Sequence, residues 1–149
     1  GFIKMKIKGS LEQAVCILLV IAHTKGHAPV KSYTLSERLG LSDSYLKKIM
    51  RQLVVAGLVD SEAGKKGGFV LKRAPKNISL LDVFEAIEST APFLSTTNLV
   101  DKVFPKEKMI AHEKEQQIIS VFTRAEQAYR QSLSQFTLDH VVAEDLPDS

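Results

Sequence analysis

Apolar residues recur along this chain mostly at helical spacings. Leu11, Val15, Leu18 and Ala22 step by three and four, with Ala14 and Ile21 widening the face. They predict a helix over residues 10–25, opened by Ser10 and stopped by Gly26. A loop containing Pro29 follows. In TLSERLG, Thr34 has Glu37 three residues on, the spacing of a capping box, and Gly40 ends a short helix. In LSDSYLKKIMRQLVVAG, Ser42 is the expected cap and Asp43 sits in the first turn, where the helix dipole favours it. Leu46, Ile49, Met50 and Leu53 make its buried stripe, and Gly57 closes it. Two short apolar runs, Leu58–Val59 and Phe69–Leu71, then flank a tip of small and basic residues. This is the pattern of a β-hairpin whose Gly64, Gly67 and Gly68 tolerate positive φ. In ISLLDVFEAIE, Ser79 and Asp82 again have capping-box spacing, and Leu80, Phe84 and Ile87 form a face.

The periodicity lapses between Ser89 and about Pro105, which predicts a loop anchored by Leu99, Val103 and Phe104. It returns over about 106–135. There Ala111, Ile118, Phe122, Ala125, Tyr129, Leu133 and Phe136 make a near-heptad seam, interrupted where Lys114 and Glu115 stand. A helix of that length runs roughly 45 Å, too long to bury itself on one small domain, so its seam is expected to pair with a second copy. Ile118, Phe122, Ala125, Tyr129 and Leu133 are the candidate dimerisation residues.

The fold class is mainly α with a small β-hairpin wing. Residues 5–88 are expected to form a winged helix-turn-helix DNA-binding domain, 89–105 a connecting loop, and 106–143 a dimerisation helix with a C-terminal segment. The 149 residues suit one such domain with an appendage. The longest apolar run, residues 14–22, falls well short of the roughly 20 that a spanning helix needs, so no membrane partner is expected. No secretory signal is expected; Met5 is the expected natural start, and the acidic tail AEDLPDS is expected to fray. The single cysteine, Cys16, excludes an internal disulfide and fits a reducing cytoplasm; its apolar run predicts that it is buried and inert.

Charge changes the picture more than composition does. The first 75 residues carry 13 Lys/Arg against 5 Asp/Glu, a net +8, and the remaining 74 carry 7 against 12, a net −5. Only the first half is suited to a polyanion. A short helix, a tight turn, a second helix and a hairpin in that order make a helix-turn-helix with a wing. A duplex major groove admits one helix, which arrives with small or polar residues leading. Here Ser42, Ser44 and Tyr45 lead, and Lys47, Lys48 and Arg51 follow. Serine and lysine suit phosphates and base edges, and arginine can grip guanine with two bonds. Lys65 and Lys66 at the wing tip, next to each other and serving no core, are expected to face phosphate or minor groove. Thr34 is primarily a cap and secondarily a phosphate contact.

Each residue also has a plainer role open to it. Lys47 and Lys48 can be solvated helix surface, Tyr45 can pack on the core, and Arg51 can bridge to Asp60 or Glu62. The alternative for the whole domain is a winged helix used as a protein-interaction or adaptor module, against which the basic half speaks. An enzyme is not expected: no nucleophile–base pair, Gly-x-Ser-x-Gly or phosphate loop is present. Nor is a metal, since His112 with Glu113, and His23 with His27, lack a third ligand.

The segments LSERLGLSDSYLKKIMRQLVVAGLV, GKKGGFVL and ISLLDVFEAIE together resemble the Rrf2 family of bacterial transcription regulators, over about residues 5–88, with a long helix in the expected place afterwards. The resemblance implies a homodimer crossed through the long helices, binding a palindromic site, with repression the default. It places Ser42, Ser44, Tyr45, Lys47 and Lys48 on the recognition helix and Lys65 and Lys66 on the wing. Family members that sense iron–sulfur clusters or redox state carry three closely spaced cysteines ahead of the long helix. Here STAPFLSTTNLVDKVFPKEK has none, so no cluster and no other cofactor is expected. An unidentified small-molecule effector between the long helix and residues 92–104 is left open, with no motif to support it.

Overall fold

Six α-helices and one β-hairpin succeed each other in the computed structural model, which describes residues 9–142. The expected start at Met5 and the tail 143–149 lie outside the described residues. The chain divides into two compact units: residues up to Ser89 together with those from Ser134 onward, and Thr90–Leu133.

In the first unit, α1 (Gly9–Ala22) buries Ala14, Ile17, Leu18 and Ile21. The buried face is therefore rotated from the expected one: Ile17 joins it, while Leu11, Val15 and Ala22 are only half-buried. An uninterrupted apolar run does not fix the phase of a helix, and tertiary packing selects it. The same rotation exposes Cys16, which was expected to be buried. Ser10 lies inside α1 rather than capping it.

α2 (Ser32–Leu39) opens at Lys31, three residues before the expected cap, so Thr34 is inside the helix and does not cap it. The cause is tertiary. Val30 pairs with Phe69 in a β-bridge, holding the chain extended up to Lys31, and the helix begins directly after. α3 (Asp43–Val55) opens as expected: Ser42 Oγ accepts a 3.2 Å hydrogen bond from the Tyr45 N–H. At its end Gly57, with φ 77°, donates to the Val54 carbonyl, and Leu58 donates to the Leu53 carbonyl. These are the two bonds of a Schellman motif, and the left-handed residue at its centre favours glycine.

β1 (Val59–Glu62) and β2 (Gly68–Leu71) pair antiparallel, Val59 opposite Leu71 and Glu62 opposite Gly68. α4 (Leu80–Glu88) carries the full capping box: Asp82 N–H donates to Ser79 Oγ at 3.1 Å, and Ser79 N–H donates to the Asp82 carboxylate at 2.9 Å. The core beneath these elements is continuous, with Ile17, Leu18, Leu35, Leu46, Ile49, Leu53, Leu58 and Ile78 sealed from solvent.

Leu138 belongs to that core and is fully buried. Its N–H donates to the Ile78 carbonyl at 2.9 Å, and Leu80 N–H donates to the Phe136 carbonyl at 2.9 Å. Residues 134–142, from the end of the long helix onward, thus pack with the first unit. Phe136 lies beyond the end of the long helix and drops out of its seam.

In the second unit a short helix, α5 (Leu99–Val103), stands where a loop was expected. Leu99, Val103 and Phe104 do not anchor it, being 60%, 56% and 49% exposed. α6 (Lys108–Ser134) has 27 residues and buries none of them. Polar ties hold the preceding segment to it. Glu126 accepts from the Phe93 N–H at 2.6 Å and from Arg130 Nε at 3.0 Å. The Phe93 bond first, and then Arg130, hold the Glu126 carboxyl below the usual carboxylate range. The Arg130 guanidinium also donates to the Ala91 carbonyl and lies 5.0 Å from the Phe93 ring centre.

Candidate nucleic-acid interface

The geometry of α3 separates two jobs. At about 100° per residue, Leu46, Ile49, Met50 and Leu53 fall on one side, and all four are buried. Ser44, Lys47, Lys48 and Arg51 fall within about 100° of each other on the opposite side, and all are exposed. Tyr45 sits on the flank, 39% exposed, so its ring is not sealed in the core. Ser42 Oγ is engaged at the cap and lies 3.4 Å from Ser44 Oγ, which gathers two hydroxyls at the leading end of the helix. Lys47 and Arg51 also rim a cleft of about 230 Å³ floored by Leu46, Met50 and Phe69, where α3 meets β2 of the wing.

The wing tip is a tight turn. Gly67 N–H donates to the Gly64 carbonyl at 3.0 Å, which puts Lys65 and Lys66 at the two central positions, both exposed. A side chain at Gly67 would put its Cβ 2.1 Å from the Glu62 carbonyl oxygen, closer than any real contact. The hairpin therefore closes only because that position has no side chain. Thr34, in the first turn of α2, is half-buried.

One residue at this surface was missed by sequence reasoning. Lys31, at the mouth of α2, donates from Nζ to the Lys65 carbonyl. Three lysines from two elements thus gather at one corner of the domain. No local signal marks Lys31, because the contact spans 34 residues.

The candidate ligands of a metal are not brought together. His23 lies past the end of α1, its Nδ1 2.7 Å from the Leu19 carbonyl, and His27 sits in a separate 3-10 turn. His112 pairs with Asp101 at 2.6 Å rather than with Glu113, joining α6 to α5. Among the described residues no group of three or more His, Cys, Asp or Glu is arranged to hold a metal ion. Among them, too, no helix is long and apolar enough to cross a membrane.

In the second unit, Ile118 and Phe122 of α6 line an apolar groove of about 540 Å³ with Leu94, Val100, Phe104 and Ile110. Ile118, Val121 and Phe122 are each more than half exposed. Ala125 is exposed, and Leu133 is half-buried. Tyr129 meets the Phe93 ring edge-on, with centres 5.4 Å apart.

A family profile described as "Rrf2: Iron-dependent Transcriptional regulator" matches residues 7–144. YwgB of Bacillus subtilis (strain 168), named as an HTH-type transcriptional regulator, is 36% identical over 138 residues, covering 93% of this chain and 85% of its own. Two solved structures share the fold. CymR of B. subtilis, titled the global cysteine regulator, has a TM-score of 0.66 at 22% identity over 93% of this chain and 97% of its own. IscR of T. potens has a TM-score of 0.65 at 23% identity, covering 97% and 94%. The matched proteins are regulators, not enzymes. The iron in the profile's description finds no counterpart in the donor set here. An iron–sulfur cluster is held chiefly by thiolates, and this chain has one cysteine, alone on the exposed side of α1.

Proposed function

This chain belongs to the Rrf2 family of DNA-binding transcription regulators, and from that premise we propose that it acts as a homodimeric repressor on a palindromic operator. The observation that carries the reading is the exposed face of α3, where Ser44, Lys47, Lys48 and Arg51 stand opposite the core stripe. The leading hydroxyls of Ser42 and Ser44, with Tyr45, face base edges; Lys47, Lys48 and Arg51 follow into the groove, and Lys65 and Lys66 meet the backbone. Thr34 offers a hydroxyl to a phosphate from α2. As a repressor of bacterial genes the protein works in the cytoplasm.

The second unit supports the dimer. A 27-residue helix with no buried residue needs a cover, and its Ile118–Phe122–Ala125 stripe is exposed. A second α6 supplies a matching stripe, and two-fold pairing of identical faces makes the operator a palindrome. On this reading the groove beside α6 is covered by the partner helix and not by an effector.

The test is selection. Genomic fragments retained by the purified protein are sequenced, and the expected result is a shared palindrome; retention without a common sequence would overturn the operator reading. Two substitutions refine it. Lys66→Ala weakens binding to every duplex about equally and flattens the salt dependence by roughly one unit per lost phosphate contact. An unchanged slope removes the wing from the interface. Replacing Ser44 and Tyr45 with alanine shifts the base preference of the selected fragments, whereas a uniform loss across all fragments assigns them to backbone positioning only.

A further inference from the structure

We propose that Lys31 is a positioning residue for the wing, holding the tip so that Lys65 and Lys66 are presented to DNA as a fixed pair; this rests on the DNA-binding reading above. Three observations converge on it. The Lys31 ammonium donates to the Lys65 carbonyl, at the apex of the turn. The preceding residue, Val30, exchanges both backbone hydrogen bonds with Phe69, at 2.9 and 2.8 Å, so the main chain beside Lys31 is tied to the tip end of β2 in the same wing. At that crossing Gly68, with φ 148°, lies so close that an added Cβ would stand 2.6 Å from the Val30 carbonyl oxygen. The backbone of residues 30–31 therefore fixes the first residues of β2, next to the tip, and the Lys31 side chain fixes the turn itself.

The chemistry of the contact is otherwise hard to explain. Lys31, Lys65 and Lys66 are all exposed, and a flexible lysine loses rotamer freedom when it is held in one place. Bringing a third positive charge to a tip that already carries two adds repulsion in the free protein. The arrangement becomes favourable overall when a polyanion neutralises the corner. Lys31 also stands at the N-terminal boundary of α2, the first helix of the helix-turn-helix. Its side chain thereby links the helix pair that carries α3 to the tip that flanks it, and sets the spacing of the two DNA-contacting elements.

A double-mutant cycle measured by fluorescence anisotropy on a selected duplex tests this. In the wild-type background Lys66→Ala should weaken binding several-fold. In the Lys31→Ala background the same change should cost less than about two-fold, because a loosened tip already presents its lysines poorly. Lys31→Arg, which keeps both donor and charge, should restore the full Lys66→Ala effect. Losses that simply multiply would overturn the proposal and make Lys31 an independent phosphate contact. Backbone ¹⁵N relaxation on the free protein provides an arm that needs no DNA. Lys31→Ala should raise fast motion at the amides of residues 64–67 while those of β1 and β2 stay ordered. Unchanged order at the tip would overturn the strut even if DNA binding stands. A rigid, Lys31-dependent tip in a protein that binds no duplex would instead fault the DNA-binding reading and leave the strut intact.

Discussion

Phe122→Glu yields a monomer by light scattering and abolishes the tight operator complex. Phe122 is 53% exposed on α6 and shares its face with Ile118 and Ala125. In a two-fold interface a single substitution appears twice, so two carboxylates replace two aromatic rings on one apolar seam. Each ring removes on the order of 150–250 Å² of surface from water when covered, and each carboxylate resists the same burial. Loss of the dimer then uncouples the two half-sites. A linked second binding event can raise the overall affinity ~10²–10⁴-fold, so a comparable factor is expected to disappear from operator binding. Single-domain contacts with non-specific DNA should survive, since the α3 face is untouched. A dimer that persists in the Phe122→Glu protein would show that pairing uses another surface.

Leu138→Ala destabilises the first unit by about 2–5 kcal/mol, the usual cost of emptying a fully buried leucine site. Leu138 has no solvent exposure and is tied through its backbone to Ile78, two residues ahead of α4. Removing its side chain opens a void against a sealed core and loosens the segment that follows α6. For a unit near 100 residues, each kcal/mol shifts the melting temperature by roughly 4–8 °C, so a fall of about 8 °C or more is expected in a thermal melt. A shift smaller than about 2 °C would mean that residues 134–142 are not docked as described.

Leu138 also marks the boundary of what sequence could disclose. Elements governed by local chemistry were legible. The Ser42 cap, the Ser79–Asp82 box, the buried stripe of α3 and the glycine-dependent hairpin each depend on residues within about a dozen positions of one another. What failed depends on contacts distant in sequence. Thr34 and Glu37 have a capping-box spacing, yet the Val30–Phe69 bridge moves the helix start and leaves that spacing unused. Cys16 is exposed because core packing, not the apolar run, chose the phase of α1. α5 is a single five-residue turn, too short to show a period.

The candidate site followed the same division. The cationic face of α3 was readable because the buried stripe fixes the phase of the helix, and everything opposite must face outward. The wing lysines were readable because adjacent charges between glycines have no core to serve. Lys31 was not, since only the fold brings it to the wing tip.

The most direct measurement is an anisotropy isotherm of the purified protein against genomic duplex fragments, repeated across salt concentrations. Binding at low salt, with log affinity falling linearly against log salt at a slope of several units, is the predicted result. No change in anisotropy at about 50 mM salt, or an affinity indifferent to salt, would contradict the claim that the positive half of this chain lies on DNA.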